Sequence, residues 1–123
     1  MFQLSLTKSI ARLHATVKPR LFVFAGQGIQ QKGMLDHIPS SLRNEAVQVG
    51  KEVLGIDLYE VATTDSKNLI NETEITQPLL LLSHYLEFHN HQYNHKLSSH
   101  DYMIGHSLGE YSALVNSRSI SLA

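Results

Sequence analysis

The stretch YMIGHSLGEYSAL, residues 102–114, decides the fold that we predict for this chain. It contains the end of a short apolar strand, predicted over Asp101–Gly105, and most of a helix, predicted over Ser107–Asn116. Gly-His-Ser-Leu-Gly joins the two. A strand, Gly-x-Ser-x-Gly and a helix in this order are typical of a nucleophile elbow, a sharp turn that exposes a catalytic serine.

Two glycines flank the serine for a steric reason. A strand that turns abruptly into a helix strains its middle residue, and side chains at Gly105 and Gly109 would collide. Ser107 would then stand at a helix N-terminus, where the dipole favours developing negative charge. We predict that the Leu108 N–H, which faces the same space, is an oxyanion donor. The alternative is a plain glycine-flanked turn with Ser107 as the helix N-cap.

A second apolar run, Leu21–Ala25, stops at Gly26-Gln27-Gly28. Because it is apolar on both faces, it predicts a buried strand of a parallel sheet. Open α/β sheets hold their ligands at the carboxyl ends of such strands. The Gln27 N–H is therefore our candidate for the second oxyanion donor, and the alternative is a simple β-turn.

The remaining elements complete an α/β pattern with a parallel sheet. The patterns predict a helix capped by Ser40 or Ser41 and ended by Gly55, a short turn of helix over Leu58–Ala62, an irregular segment over Asn68–Glu74, and a helix over Leu79–Asn94 with Pro78 near its first position.

Composition narrows the classes of function. The 123 residues fit one domain at most. The net charge of −1 lacks the basic excess that is typical of nucleic-acid-binding proteins. The absence of cysteine excludes disulfides, thiolate metal sites and a thiol nucleophile. No apolar run approaches the roughly 18 residues of a membrane span.

The first twenty residues, MFQLSLTKSIARLHATVKPR, differ from the rest. They carry Lys8, Arg12, Lys18 and Arg20 but no acidic residue, and their apolar side chains fall on one side of a helix. This composition is typical of a mitochondrial or plastid transit peptide. We predict a transit peptide over 1–20, an enzyme portion over 21–123 and a place in the mitochondrial matrix. The alternative is an amphipathic helix docked on the domain.

Three sequence motifs follow one another along the chain: FAGQG at 24–28, TQP at 76–78 and GHSLGEYSAL at 105–114. Together they resemble the malonyl-CoA:acyl-carrier-protein transacylases and the acyltransferase domains of fatty-acid and polyketide synthases. The resemblance covers about residues 21–123. It implies a parallel-sheet, α/β-hydrolase-like fold, the large acyltransferase subdomain, incomplete at the C-terminus.

The resemblance also implies a reaction and the residues for it. Ser107 corresponds to the nucleophile, Gln27 and Leu108 to the oxyanion-hole amides, and Gln77 to a residue that lines the active site. Ser107 would take malonyl from coenzyme A and pass it to the phosphopantetheine thiol of acyl carrier protein, in fatty acid biosynthesis. We expect no cofactor, no metal, no nucleic-acid or membrane partner, and a monomer when the protein is complete.

The chain departs from the family in its length. The family's catalytic histidine and its carboxylate-binding arginine lie beyond Ala123, and His106, the neighbour of Ser107, is badly placed to act as the base. We therefore expect an N-terminal portion that is inactive alone: a fragment, a truncated gene model or a splice product. A serine hydrolase or thioesterase, or a non-catalytic fragment, is the alternative.

Five histidines cluster before the second strand: His84, His89, His91, His95 and His100. His91 and His95 have the i, i+4 spacing that suits a metal on a helix. Because no carboxylate motif accompanies them, we predict no metal site.

Overall fold

Two strands and four helices make up the part of the chain that the computed structural model describes, residues 18–99 and 101–122. Most of the predicted transit peptide and His100 lie outside these residues. In chain order the elements are β1 (Leu21–Phe24), α1 (Ser40–Leu54), α2 (Leu58–Thr63), α3 (Thr73–Asn94), β2 (Tyr102–Gly105) and α4 (Leu108–Asn116).

The two strands form a parallel pair, as the sequence predicts. Leu21 lies opposite Tyr102, and Phe24 lies opposite Gly105. The Tyr102 N–H also donates to the Arg20 carbonyl at 2.8 Å. Helix α4 follows β2 directly and contacts both strands. The carboxyl ends of β1 and β2 therefore meet at the residue where α4 begins.

Only one face of β1 is covered by the described residues. Phe22 and Phe24 pack on Phe88 of α3, with the Phe22 and Phe88 ring centroids 5.1 Å apart. Leu21 and Val23 point the other way and are 57% and 68% exposed. The prediction that β1 is buried on both faces is wrong for this part of the chain. An apolar run shows that both faces can be buried, but the covering elements decide whether they are.

Helix α1 begins one residue earlier than a serine cap requires. Pro39 is its N-cap, and the carbonyl of Pro39 accepts from the Leu42 and Arg43 N–H groups at 3.0 and 3.1 Å. Neither predicted serine caps the helix, since Ser40 is already its first residue. The predicted end is confirmed, because Gly55 adopts the left-handed conformation at φ 69°.

Helix α3 begins at Thr73, so the prediction that it starts just after Pro78 is wrong. Buried Thr76 closes the extra turn: its N–H donates to the Glu72 carbonyl at 2.7 Å, and its hydroxyl lies 2.7 Å from the Ile70 carbonyl. Pro78 removes only the bond to the carbonyl of Glu74, near the helix start. The helix tolerates this loss. Because it begins at Thr73, the irregular segment predicted over Asn68–Glu74 ends before that residue.

The core lies between α1, α2 and α3. Helix α2 confirms the predicted short helix, and Asp57 caps it by accepting from the Tyr59 and Glu60 N–H groups at 3.1 Å. In the described residues, no helix is long and apolar enough to cross a membrane. The buried cluster consists of Leu35, Ile38, Ala46, Leu58, Val61, Ala62, Leu79, Leu82 and Leu86.

Candidate active site

Ser107 lies at the junction of β2 and α4 in a strained conformation. Its φ is 55° and its ψ is −120°, outside the usual regions for a residue with a side chain. Two backbone hydrogen bonds close the turn around it: Gly109 N–H to the His106 carbonyl at 2.9 Å, and Glu110 N–H to the Ser107 carbonyl at 3.0 Å. Ser107 is exposed and makes no side-chain cap bond. This geometry favours an elbow over a simple capping serine.

The two flanking glycines are required by close backbone approach. A Cβ atom at Gly105 would overlap the carbonyl group of Gly109. A Cβ atom at Gly109 would overlap the Phe24 carbonyl oxygen and would lie 2.9 Å from the Ala25 carbonyl oxygen. The predicted steric need for glycine is confirmed at both positions. The contact of Gly109 with Phe24, which the sequence did not predict, places the start of α4 directly against the end of β1.

The loop after β1 lies beside the serine. A Cβ atom at Gly26 would be 3.4 Å from the Ser107 Cβ, so the loop and the elbow are neighbours. The Gly28 N–H already donates to the Gln30 Oε1 atom at 2.8 Å. Because this bond occupies the Gly28 amide, the Gln27 N–H remains the candidate for an oxyanion donor from this loop.

The structure also brings Gln77 to this loop. The Nε2 atom of Gln77, in the first turns of α3, donates to Gln27 Oε1 at 3.0 Å. Both side chains are exposed. Leu108 is the first residue of α4, so its N–H has no acceptor within the helix. Three of the four predicted site residues, Gln27, Ser107 and Leu108, thus surround the same turn, and Gln77 joins them through Gln27.

No side chain in residues 18–99 and 101–122 is hydrogen-bonded to the Ser107 hydroxyl as a general base would be. The His106 ring lies against Gly26, with its Nδ1 atom 3.4 Å from a Cβ placed there. The Nδ1 atom of His84 is 2.8 Å from the Ser112 Oγ atom instead. The described residues therefore show no general base already paired with the serine.

The clustered histidines lie along α3 and at its end. The His91 and His95 ring centroids are 4.7 Å apart with the rings tilted by 38°, and the His89 and Tyr85 ring centroids are 4.2 Å apart. Within the described ranges, no group of three or more histidine or acidic side chains is arranged to hold a metal ion. His100 lies outside those ranges.

One ion pair that ties the sheet together was missed from the sequence. Arg20 Nε and the Asp101 Oδ1 atom are 3.0 Å apart, and Arg20 Nη2 is 2.6 Å from Asp101 Oδ2. The hydrogen bonds from Arg20, and one from the Ser98 N–H, hold the pKa of Asp101 well below its usual range. Each residue immediately precedes a strand, so a parallel pairing of the two strands could have indicated the contact.

The chain is similar in sequence to known transacylases. It is 38% identical over 96 residues to the malonyl CoA-acyl carrier protein transacylase of Escherichia coli O157:H7, a match over 76% of this chain and 31% of that protein. It is 31% identical over 93 residues to the polyketide biosynthesis malonyl CoA-acyl carrier protein transacylase PksC of Bacillus subtilis, over 76% of this chain and 32% of PksC. No family model matches.

Solved structures agree with the sequence matches. The acyl-carrier-protein S-malonyltransferase of Burkholderia pseudomallei superposes with a TM-score of 0.75 and 31% identity, over 86% of this chain and 34% of that one. A malonyl-transacylase solved with its type II polyketide synthase acyl-carrier protein gives 0.70 and 35%, over 80% and 32%. The chain spans about a third of the length of these transacylases.

Proposed function

Since this chain belongs, over the third of their length that it spans, to the malonyl-CoA:acyl-carrier-protein transacylases, we propose that it carries the nucleophile portion of such an enzyme. The observation that supports this most directly is the strained Ser107 between Gly105 and Gly109, beside the Gly26–Gly28 loop. We propose malonyl-CoA as the acyl donor and an acyl carrier protein as the acceptor, in fatty acid biosynthesis.

The proposed chemistry is acyl transfer in two steps. The Ser107 Oγ atom attacks the thioester carbonyl of malonyl-CoA, the carbon–sulfur bond breaks, and coenzyme A leaves with the serine proton. The phosphopantetheine thiol of the carrier protein then attacks the serine ester, and its proton returns to Ser107. In each step the carbonyl oxygen becomes an oxyanion, for which the Gln27 and Leu108 N–H groups are the proposed donors.

No described side chain is paired with Ser107 as the base that must carry this proton. An unassisted serine hydroxyl keeps its proton near pH 7, and general-base help contributes roughly 10²–10⁴-fold. We propose that the base and a cation for the malonyl carboxylate come from the further part of the protein. Residues 1–123 alone should therefore fail to turn over, even if the elbow folds.

The test is acyl loading of the full-length protein. After incubation with malonyl-CoA, we expect mass spectrometry of peptides to find one malonyl group on Ser107, and Ser107→Ala to abolish it. Adding an acyl carrier protein should move the label to its phosphopantetheine. Label on another residue would contradict the proposal, and release of free malonate in place of transfer would indicate a hydrolase.

We further propose that the N-terminal segment directs the protein to the mitochondrial matrix and is then removed. The acid-free, basic composition supports this. We place the cleavage before Arg20, one residue earlier than the 1–20 boundary predicted from the sequence, because the Arg20 side chain pairs with Asp101 and its carbonyl accepts from the Tyr102 N–H. Removal of Arg20 would cost the sheet both contacts.

A reporter fusion tests the leader. Residues 1–30 in front of a fluorescent protein should localise it to mitochondria, and N-terminal sequencing of the processed product should show Arg20 retained. The matched control replaces Lys8 and Arg12 with Gln, which removes the charge but keeps the length. A reporter that stays cytosolic and uncleaved would contradict the proposal.

A further inference from the structure

A buried hydrogen bond joins α3 to α4 behind the elbow. The His84 Nδ1 atom lies 2.8 Å from the Ser112 Oγ atom, although the residues are 28 positions apart. Ser112 is fully buried, and His84 is 9% exposed. In such surroundings a polar group left without its partner is costly. The bond is therefore a strong constraint on how the two helices pack.

The same imidazole packs against the end of β1. The ring centroids of His84 and Phe24 are 5.6 Å apart. The Phe24 carbonyl accepts from the His106 N–H at 3.1 Å and lies against Gly109. His84 thus packs on Phe24, the residue whose carbonyl contacts the elbow at His106 and Gly109.

Two of the contacts that helix α4 makes on its inner side are at Gly109 and Ser112. Gly109 touches the backbone of β1, and Ser112, three residues later, bonds to His84. The Asn116 side chain also donates to the Ser112 carbonyl at 2.9 Å. A contact at Gly109 alone would let the helix roll about its axis. The bond at Ser112 fixes that roll, which sets the directions of the Ser107 hydroxyl and the Leu108 N–H.

We propose that His84 is a positioning residue for the nucleophile, acting through Ser112 and Phe24 and never touching the substrate. This inference rests on the proposed function of Ser107. The chemistry suits the role, because a neutral imidazole nitrogen can either accept from or donate to a serine hydroxyl. The expected effect is large, since a misplacement of about 1 Å at a reacting group can cost roughly 10²-fold in rate.

Four variants of the full-length protein test the proposal. His84→Ala and Ser112→Ala remove the bond, whereas His84→Asn keeps a polar atom near the position of Nδ1. His89→Gln is the matched control, because His89 is half-buried on the same helix and its ring contacts are with Tyr85 and Phe88 of that helix. The Tm of each variant is measured first, and only variants that are folded at the assay temperature are compared.

We expect His84→Ala and Ser112→Ala to lower kcat roughly 10-fold or more, with KM changed less than about 2-fold, because only the orientation of the reacting group is lost. The double variant should be no worse than either single one, since both remove one interaction. His84→Asn should recover most of the rate, and His89→Gln should resemble the unsubstituted protein. Equal losses in His84→Ala and His89→Gln, or no loss in either, would overturn the proposal.

A second readout does not depend on the reaction. Hydrogen exchange of the Gly109 and Glu110 amides, which close the elbow turn, should accelerate in His84→Ala but not in His84→Asn or His89→Gln. If the unsubstituted protein does not load malonyl, the proposed function fails, and the hydrogen-exchange measurement alone decides whether His84 positions the elbow. Unchanged exchange of the Gly109 and Glu110 amides in folded His84→Ala would overturn the positioning role.

Discussion

At the residue scale, the feature that matters most is the backbone of Ser107. A positive φ on a non-glycine residue costs on the order of 1–3 kcal/mol and persists only where the surroundings enforce it. Here the surroundings are the contacts of Gly105 with Gly109 and of Gly109 with Phe24. The strain is thus held by backbone atoms, which cannot move aside as a side chain could.

Adding one methyl group at either glycine should therefore disrupt the elbow. We expect Gly105→Ala and Gly109→Ala to lower the free energy of unfolding by about 3 kcal/mol, the upper end of ordinary overpacking, and to abolish Ser107 acylation. Gly50→Ala is the control, because its Cβ would meet the Leu58 side chain at 3.3 Å and no backbone atom of another segment, and helix propensity favours alanine. Denaturant titration measures all three, and normal stability and acylation in Gly105→Ala would contradict the elbow.

The residue-scale features differ in how far the sequence can predict them. The elbow follows from sterics within five consecutive residues, so Gly105, Ser107 and Gly109 could be predicted from the motif. Arg20 and Asp101 are 81 positions apart, and their contact depends on the register of two strands. The pairing of His84 with Ser112 likewise depends on how two helices pack, which no local pattern specifies.

At the scale of elements, β1 and β2 are joined at their starts by the Arg20–Asp101 ion pair. The Asp101 side chain is only 2% exposed and accepts from Arg20 and from the Ser98 N–H at 2.8 Å. Because its pKa is depressed in the folded state, the pair stabilises the protein above the ordinary carboxyl pKa of about 4. The stabilisation is lost as the pH falls below that value.

Asp101→Asn should reveal this contribution. We expect a Tm lower by several degrees at pH 7 and a weaker fall of Tm between about pH 4 and pH 2, because the titrating carboxyl is gone. Asp36→Asn is a suitable control, since Asp36 is exposed and has no ion pair among the described residues. Thermal melts across this pH range make the comparison. Parallel pH profiles for Asp101→Asn and the unsubstituted protein would rule the contribution out.

The contact between α3 and α4 also loses stability as the pH falls, but it does so in a higher pH range. Burial lowers the pKa of His84, and the nearby Glu87 opposes this more weakly. The neutral ring is therefore favoured by folding, so stability is complete above about pH 6.5 and falls as the pH drops below it. We expect His84→Asn to lose less stability than the unsubstituted protein between pH 7 and pH 5. Nuclear magnetic resonance titration of His84 should find its midpoint below 6.5, and a midpoint at or above that value would contradict the prediction.

The element boundaries show where sequence patterns stop being informative. The end of α1 at Gly55 was predictable, because the left-handed conformation there suits glycine. The start of α3 was not, because buried Thr76 supplies the bonds that extend the helix before Pro78. A proline usually marks the first turn, and here the local bonds from Thr76 to Ile70 and Glu72 outweigh that preference.

At the scale of the whole molecule, the sheet has an open apolar face in the described residues. Leu21, Val23, Tyr102 and Ile104 are 57%, 68%, 63% and 50% exposed. Alternation along each strand places these side chains together, opposite the side that packs on α3. An apolar face of this kind favours association or dye binding when nothing else covers it.

Residues 1–123 expressed alone should therefore bind a hydrophobic dye such as ANS and self-associate at micromolar concentration. Replacing Val23 and Ile104 with Thr should reduce both effects, because threonine keeps β-propensity while adding a hydroxyl. Val53→Thr, at a 67% exposed position of α1, is the control. Dye fluorescence and sedimentation velocity provide the measurements. A monomer that binds no dye would contradict the prediction.

The parallel pairing of β1 with β2 also has a consequence for biosynthesis. Leu21 pairs with Tyr102, so the first strand leaves the ribosome 81 residues before its partner. At about 5–20 residues per second, this interval is roughly 4–16 s. Throughout it, the segment LFVF is a β-prone apolar stretch without a neighbour. We expect nascent-chain chaperones to contact this segment during translation and to release it only after Gly105 has emerged.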